Sequence, residues 1–382
     1  MTETANTAQL PRPNGLEGVV AAQTELSHVF GDEGRLVYRG YDIHELAGKA
    51  SFEEVAYLLW MGHLPTRAEL DEFERKLGEN RQLPDGVIEA LRQLPKDALP
   101  LDALRTGVSM LGALEPNTFT FHPDLDQAIA VSARFPAILA AFYRLREGKE
   151  PIQGRPDLNT AQNYLYQMHG EVPQEKHWKP LETYLILLAD HGLNASTFTA
   201  RVIASTTSDL VSAITGAIGA LKGPLHGGAP ALVLDMLNEI GTADNVEPWL
   251  THALDTGERI MGLGHRVYRA EDPRAEILRD MAETASTPEF FELSKKTEET
   301  ALRMLAERKP DRKIYTNVEF YSAAVLSAVG LPGDMFTPTF GVSRSVGWTA
   351  HVLEQANNNR LIRPASEFVG PTDKKYVPID ER

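Results

Sequence analysis

Hydrophobic positions recur at helical spacing through most of the chain. Ser51–Glu54 forms a capping box, in which two side chains satisfy free backbone N–H groups just before an apolar helical set. Thr66–Glu69 repeats that arrangement, and Asp85 is placed to cap a third amphipathic segment. A longer segment from about 126 to 146 has the same spacing and contains Pro136, which predicts a kink.

A short β element is predicted before these helices. Leu26 leads to a turn at Gly31–Gly34, and the apolar Leu36–Tyr38 follows it. No strong strand pattern occurs after residue 40. The fold class predicted is therefore mainly α, with a small N-terminal β element.

Two further regions have a distinctive composition. The region 181–221 is apolar and rich in glycine and alanine, which predicts a buried helix pair or an oligomer interface. The tail 357–382 is polar and contains three prolines, which predicts an extended arm.

Irregular stretches divide the chain into domains. Glycines and a proline concentrate at 223–228, as at a hinge, and 331–333 forms a second irregular stretch. A chain of 382 residues has a length typical of two domains. We expect a large domain from 1–226, a small domain at 227–330, and a return to the large domain at 331–382.

Composition narrows the class of protein. Hydrophobic residues make up 42% and charged residues 24%, as in soluble globular proteins. A net charge of -15 argues against a nucleic-acid or anionic-membrane partner, and the absence of cysteine excludes disulfides and thiolate sites. The first fifteen residues lack a signal pattern, and the apolar run around 185–189 with its flanks is too short to span a bilayer. We expect a cytoplasmic protein.

Three segments carry candidate catalytic side chains. His226 and His265 each lie in a glycine-rich stretch, and Glu319 follows an asparagine at the start of a helical segment. One base and two hydrogen-bond donors suit proton abstraction next to a carbonyl. A lone histidine in such a turn often has no catalytic role, so the hypothesis depends on the three segments together.

Arginines supply a possible anion site. Arginine binds carboxylates through two parallel hydrogen bonds, and Arg274, Arg344 and Arg363 are candidates for a dicarboxylate. His191 lies in an apolar helical region, where it is either a hydrogen-bonded core histidine or a substrate contact. Each arginine, taken alone, is more typical of a surface salt-bridge partner than of a binding site.

Further basic residues lie near these segments: Arg269, Lys309, Arg312 and Lys313. They indicate either a solvated surface or contacts to a nucleotide phosphate. The sequence has no Walker A loop, no dinucleotide fingerprint and no hydrolase motif of the G-x-S-x-G or H-E-x-x-H type. A zinc-dependent hydrolase using the histidines and Glu319 is an alternative, although their wide spacing lacks the local pairing of metal sites. A non-catalytic helical scaffold is a second alternative, disfavoured by so many polar candidates.

Taken together, the segments resemble those of citrate synthases, specifically the shorter dimeric bacterial and archaeal type, over nearly the whole chain. The resemblance rests on Gly15–Val20, Tyr38–Ile43, Gly223–Ala229, Gly264–His265, Asp272–Arg274, Asn317–Tyr321, Ser343–Arg344 and Arg363–Pro364. It implies a nearly all-α fold with a large and a small domain, and a homodimer with its sites in the domain cleft. It also implies acetyl-CoA and oxaloacetate as substrates and no metal or redox cofactor.

The resemblance also implies individual roles. His226 would hydrogen-bond the thioester oxygen of acetyl-CoA, Glu319 would take the methyl proton, and His265 would polarise the ketone of oxaloacetate. The residues expected to hold oxaloacetate are His191, His265, Arg274, Arg344 and, from the partner subunit, Arg363. The residues expected to contact CoA are Arg269, Lys309, Arg312 and Lys313.

Two points stay open at the level of sequence. The family usually has aspartate where this chain has Glu319, and the extra methylene requires a compensating backbone or rotamer change to keep the base within reach. A 2-methylcitrate synthase, which condenses propionyl-CoA through the same residues, is the closest alternative activity.

Overall fold

The computed structural model of the protein describes residues 15–16, 18–227, 229–264, 268–311 and 313–382. Helices dominate the described part of the chain, as predicted. The α-helices are α1 (Ile43–Leu46), α2 (Phe52–Met61), α3 (Arg67–Glu79), α4 (Asp85–Arg92), α5 (Pro100–Leu114), α6 (Leu125–Arg146), α7 (Thr160–His169), α8 (Glu175–Leu188), α9 (Ala195–Ser205), α10 (Leu210–Leu221), α11 (Ala229–Ile240), α12 (Val246–Thr256), α13 (Pro273–Ala285), α14 (Pro288–Arg308), α15 (Val318–Ala328) and α16 (Phe336–Asn357). Short 3-10 helices lie at Ala243–Asn245, Gly333–Met335 and Ile379–Glu381.

The predicted β element is a three-stranded antiparallel sheet. Its strands are β1 (Ser27–Phe30), β2 (Arg35–Tyr38) and β3 (Tyr41–Asp42), in that order. The buried Tyr38 anchors the sheet, because its hydroxyl lies 3.0 Å and 2.9 Å from the carbonyl oxygens of Leu187 and Asp190. The sheet is thereby fixed to the C-terminal end of α8.

Helix starts follow the predictions in two cases and depart from them in one. The capping boxes of Ser51 and Thr66 are both present. The prediction that Asp85 caps a helix is wrong: Pro84 is the N-cap, without a side-chain cap bond, and Asp85 is the first residue of α4. The proline ring favours the extended backbone of a cap position. The carboxylate of Asp85 still lies in the first turn of α4, where its negative charge interacts favourably with the helix dipole.

The core is built around α6 and α16, which pack against each other and are buried along most of their length. Helix α6 continues through Pro136. By length and composition α6 could cross a membrane, but 83% of its most apolar stretch is buried inside the protein. Helix α6 is therefore a core helix.

The small-residue region forms a close helix pair, α9 and α10. A Cβ atom built on Gly216 would lie 2.3 Å from Cδ1 of Ile203, so a larger residue could not be placed there without a shift. The buried helix pair predicted for 181–221 is thus present. Beyond α16, residues 358–378 form neither helix nor strand and are mostly exposed.

Candidate active site

Arg344 lies at the centre of the candidate site, on a buried face of α16. Its Nε donates to the carbonyl oxygen of Leu188 at 2.8 Å, and its guanidinium carbon lies 4.6 Å from the ring centre of Phe340. Burial lowers the pKa of Arg344 to about 10, so the side chain is charged at neutral pH. Among the described residues, no acceptor bonds its Nη1 or Nη2, which leaves two donor nitrogens for an anion.

His226 is joined to the same face of α16 through Ser196. The hydroxyl of Ser196 lies 2.8 Å from Nε2 of His226 and accepts a hydrogen bond from Nε1 of Trp348 at 3.0 Å. It also lies 2.8 Å from Oδ1 of Asn194. The single hydroxyl proton therefore has two possible acceptors, and when it goes to His226 the imidazole proton lies on Nδ1.

The charge state of His226 follows from its surroundings. Burial, reinforced by the positive charge of Arg344, lowers the pKa of His226 to about 4. The imidazole is therefore neutral at physiological pH. A neutral ring with its proton on Nδ1 can donate a hydrogen bond to an uncharged carbonyl oxygen.

Arg274 forms the second cationic element of the site. Its Nε and Nη2 donate to the carboxylate of Asp272 at 3.0 Å and 2.8 Å, and these side chains are only 3% and 1% exposed. Asp272 also caps α13 by accepting from the backbone N–H of Arg274 at 3.1 Å. The guanidinium lies 5.8 Å from the ring of Tyr268, whose hydroxyl is 3.3 Å from Nε2 of His191. Arg274 and His191 therefore share a neighbour.

Glu319 is the second residue of α15, where Asn317 is the N-cap and accepts from its backbone N–H at 3.1 Å. Burial raises the pKa of Glu319, and the positive charge of Arg274 offsets part of that rise. A carboxyl group with a raised pKa is a stronger base once ionised than an exposed one. Arg274 thus interacts electrostatically with both Glu319 and Arg344, and the three charged side chains form one cluster.

The start of α15 is bonded to the stretch that precedes His265. The backbone N–H of Gly264 donates to Tyr315 at 2.7 Å, and that of Asn317 donates to Gly262 at 3.0 Å. The side chain of Asn317 donates to the carbonyl oxygen of Gly264 at 2.8 Å. His265 itself lies outside the described residues; Gly264, which precedes it in the sequence, is bonded to the start of the helix that carries Glu319.

Comparisons with known proteins show the family to which the chain belongs. Residues 15–365 match the family model described as citrate synthase, C-terminal domain. Citrate synthase 2 of Bacillus subtilis is 45% identical over 96% of this chain and 98% of its own length, and the citrate synthase of Haloferax volcanii is 46% identical over the same shares. The chain belongs to the citrate synthase family.

Solved structures agree with this assignment. A citrate synthase from Thermoplasma acidophilum, solved as a ternary complex with carboxymethyl coenzyme A and oxaloacetate, has a TM-score of 0.89 and 35% identity, covering 96% of this chain and 98% of its own. The citrate synthase of Thermotoga maritima has a TM-score of 0.85 and 45% identity, covering 97% and 99%. The predictions of a mainly α fold, of citrate synthase function and of an acyltransferase are thereby confirmed.

The structure separates the predicted site residues into two groups. His191, His226, Arg274, Glu319 and Arg344 are brought together in the cluster described above. The remaining described candidates are exposed: Arg269, which is 84% exposed with Nε 3.8 Å from Asp32, Lys309, Lys313 and Arg363. Arg312, like His265, lies outside the described residues.

Sequence reasoning missed four residues that shape the site: Ser196, Tyr268, Asp272 and Trp348. Trp348 could have been found, since it lies one helical turn after Arg344 and therefore on the same face of α16. Asp272 precedes a proline at a helix start, a recognisable cap signal. The contacts of Ser196 and Tyr268 join segments far apart in sequence, so no local pattern indicates them.

A row of polar side chains extends from the site through the core to the half-buried Glu354. We call it the buried polar row, formed by the buried Asp190, His351 and Arg201 and, at its end, Glu354. Oδ2 of Asp190 lies 3.2 Å from Nε2 of His351, Nδ1 of His351 lies 3.0 Å from Nη1 of Arg201, and that nitrogen donates to Glu354 at 2.6 Å. Because arginine only donates, Nδ1 of His351 accepts and its ring proton faces Asp190. Burial alone would raise the pKa of Asp190, but His351 and Arg344 outweigh it and the pKa is lowered.

Proposed function

We propose that the protein condenses acetyl-CoA with oxaloacetate to citryl-CoA, which it then hydrolyses to citrate and CoA. The observation that carries the proposal is the presence of one carboxyl base, Glu319, in the same buried cluster as Arg274 and Arg344. The overall charge of -15 repels a dianionic substrate. The buried guanidinium groups give the site a positive charge, in contrast to the negative charge of the whole protein, and this charge can bind the carboxylates of oxaloacetate.

Oxaloacetate binding is assigned to the arginines and to His191. Arg344 offers two donor nitrogens to one carboxylate, and Arg274 is held in place by Asp272 before substrate arrives. Such preorganisation reduces the side-chain entropy lost on binding. His191 is proposed to contact the same substrate from the loop that follows α8.

The chemical step begins at the methyl group of acetyl-CoA. Glu319 removes a methyl proton, and His226 is proposed to adopt the neutral tautomer with its proton on Nδ1 and to donate a hydrogen bond to the thioester oxygen that gains charge. The resulting nucleophilic carbon attacks the ketone of oxaloacetate, whose oxygen His265 is proposed to polarise and protonate. Water then cleaves the thioester of citryl-CoA, and the sulfur leaves as CoA.

We further propose a homodimer in which the arm supplies Arg363 to the neighbouring site. The arm is held at its start, since the backbone N–H of Ile362 donates to Ser205 at 3.0 Å. Large hydrophobic side chains are exposed along it: Leu361, Phe368, Val369, Tyr376, Val377 and Ile379. Exposed apolar side chains in such number are typical of a surface that another chain covers. Arg269, Lys309, Lys313 and Arg312 are proposed to contact CoA.

A second candidate activity is the condensation of propionyl-CoA. The 2-methylcitrate synthase of Shewanella oneidensis is 40% identical over 96% of this chain and 97% of its own length. Parallel measurement of kcat/KM with acetyl-CoA and propionyl-CoA distinguishes the two activities, and we expect acetyl-CoA to be preferred.

Replacement of the base tests the mechanism. Glu319→Gln keeps the size of the side chain but cannot accept a proton, so the condensation rate should fall by about a hundredfold or more. Glu319→Asp is the matched control, because it keeps the carboxyl group and should retain more activity. Oxaloacetate binding, measured by calorimetry, should survive in Glu319→Gln. Near-wild-type turnover by Glu319→Gln would exclude Glu319 as the base.

A further inference from the structure

Tyr184 is a buried residue of α8 whose hydroxyl has no role in the mechanism above. Its side chain is fully buried, and its hydroxyl oxygen has no hydrogen-bond partner among the described residues. Buried hydroxyl groups are nearly always bonded, because an unmet polar group loses its contacts with water and gains none in return. An unmet hydroxyl in this position therefore requires an explanation.

Tyr184 lies beside the charged groups of the candidate site. Helix α8 packs against both α13, which begins with Arg274, and α15, which begins with Glu319. Leu188, one turn after Tyr184 on α8, accepts the hydrogen bond from Arg344. Burial raises the pKa of Tyr184, the charge of Glu319 raises it further, and the charges of Arg344 and Arg274 oppose the rise. The hydroxyl of Tyr184 is therefore close enough to interact electrostatically with Glu319, Arg344 and Arg274.

Tyr164 provides a comparison within the same core. It is also fully buried, but its hydroxyl lies 3.0 Å from Oγ1 of Thr339. Oγ1 of Thr339 donates its own proton to Met335, so Tyr164 is the donor in that bond. Tyr164 is thus a buried tyrosine of the core with a bonded hydroxyl, whereas the hydroxyl of Tyr184 has no partner among the described residues.

We propose that Tyr184 is a positioning residue that donates a hydrogen bond to the Glu319 carboxylate once oxaloacetate is bound. The inference rests on the proposed function. When oxaloacetate occupies Arg274 and Arg344, Glu319 needs another donor to stabilise its ionised form in a buried position. Glutamate also has one more rotatable bond than aspartate, and a fixed hydroxyl would hold its carboxylate in one orientation.

The test compares Tyr184→Phe with Tyr164→Phe. Tyr184→Phe removes an unpaired hydroxyl, so its urea midpoint should equal or exceed that of the wild type, whereas Tyr164→Phe loses a hydrogen bond and should be less stable. With saturating substrates, kcat of Tyr184→Phe should fall about tenfold, which corresponds to about 1.4 kcal/mol and is smaller than the loss expected on removing the base itself. Its KM for oxaloacetate should change little. Tyr164→Phe should keep the wild-type kcat.

The pKa of Glu319 gives a direct readout. A hydrogen bond donated to a carboxylate favours the ionised form and lowers its pKa, so Tyr184→Phe should raise the pKa of Glu319. Carbon-13 NMR of glutamate carboxyl groups, with oxaloacetate present, measures this value. The signal of Glu319 is identified by its loss in Glu319→Gln. The acid limb of the pH dependence of kcat should move to higher pH in parallel.

Two results would overturn the proposal. An unchanged pKa of Glu319 in Tyr184→Phe would show that Tyr184 donates no hydrogen bond to Glu319, whether or not the protein turns over acetyl-CoA. A raised KM for oxaloacetate with an unmoved acid limb would assign the hydroxyl to the substrate instead. Failure of the wild type with both acyl-CoA substrates would contradict the proposed function, while the NMR titration would still decide the inference.

Discussion

The buried ion pair of Arg274 and Asp272 makes a quantitative prediction for the variant Asp272→Asn. The substitution keeps the size of the side chain and an oxygen that can cap α13, since asparagine caps helices about as well as aspartate. It removes the negative charge from a pair whose members are 3% and 1% exposed. The cationic Arg274 is then left in the core without a counterion.

The expected loss of stability is large. Breaking a buried pair by removing one partner lowers the free energy of unfolding by about 3–5 kcal/mol. With a urea dependence of about 3 kcal/mol per molar for a large chain, the midpoint of unfolding should fall by about 1–1.7 M. Circular dichroism at increasing urea measures both the midpoint and the slope.

A double variant separates charge from packing. Asp272→Asn combined with Arg274→Gln removes both charges, so most of the lost stability should return, because replacing both partners leaves no unpaired charge. Oxaloacetate binding should not return, since the proposed contact of Arg274 is gone. A single variant as stable as the wild type, or a double variant no more stable than the single one, would refute the reasoning.

Three further predictions concern the site and the dimer. His226 has a pKa of about 4 in the folded protein against an ordinary value of 6.5, so the unfolded state binds more protons between these values and stability falls as pH drops through them. As the pH falls from 6.5 to 4, the free energy of unfolding of His226→Gln should decrease less than that of the wild type, and the difference should reach about 3 kcal/mol in urea titrations. Arg344→Lys should weaken oxaloacetate binding by about 1.5–3 kcal/mol in calorimetry, because the planar fork is lost; an unchanged affinity would place Arg344 outside the substrate site. Mixing inactive Arg363→Ala with inactive His265→Ala should restore activity, because one site of each mixed dimer receives both wild-type residues; verified mixed dimers without activity would exclude the shared site.

Local signals in the sequence predicted those parts of the fold that local contacts determine. The capping boxes at Ser51 and Thr66 involve residues only three positions apart, and both are present. The prediction for Asp85 failed by one residue because the preceding proline takes the cap position. Helix ends are therefore predictable only to within a residue where two cap signals are adjacent.

The candidate site was predictable where its residues lie in recognisable segments. His226, Glu319 and Arg344 were predicted as candidates in this way. Their hydrogen-bond partners were not, because Ser196 is thirty positions from His226 and Leu188 is far from Arg344. Nor could the sequence show that Glu319 is buried, and that burial is what raises its pKa. These properties arise only when the helices pack.

The buried polar row constrains how this core can diverge. Replacing Arg201 alone would leave Glu354 without its cation and Nδ1 of His351 without its donor, and replacing His351 alone would separate Asp190 from Arg201. In a library of random variants, single replacements in the row should therefore be depleted. Matched replacements that remove both charges of a pair can survive, because no unpaired charge remains. Substitutions at these positions should therefore occur together rather than singly. A protein that changes from one stable combination to another by single substitutions must pass through less stable variants.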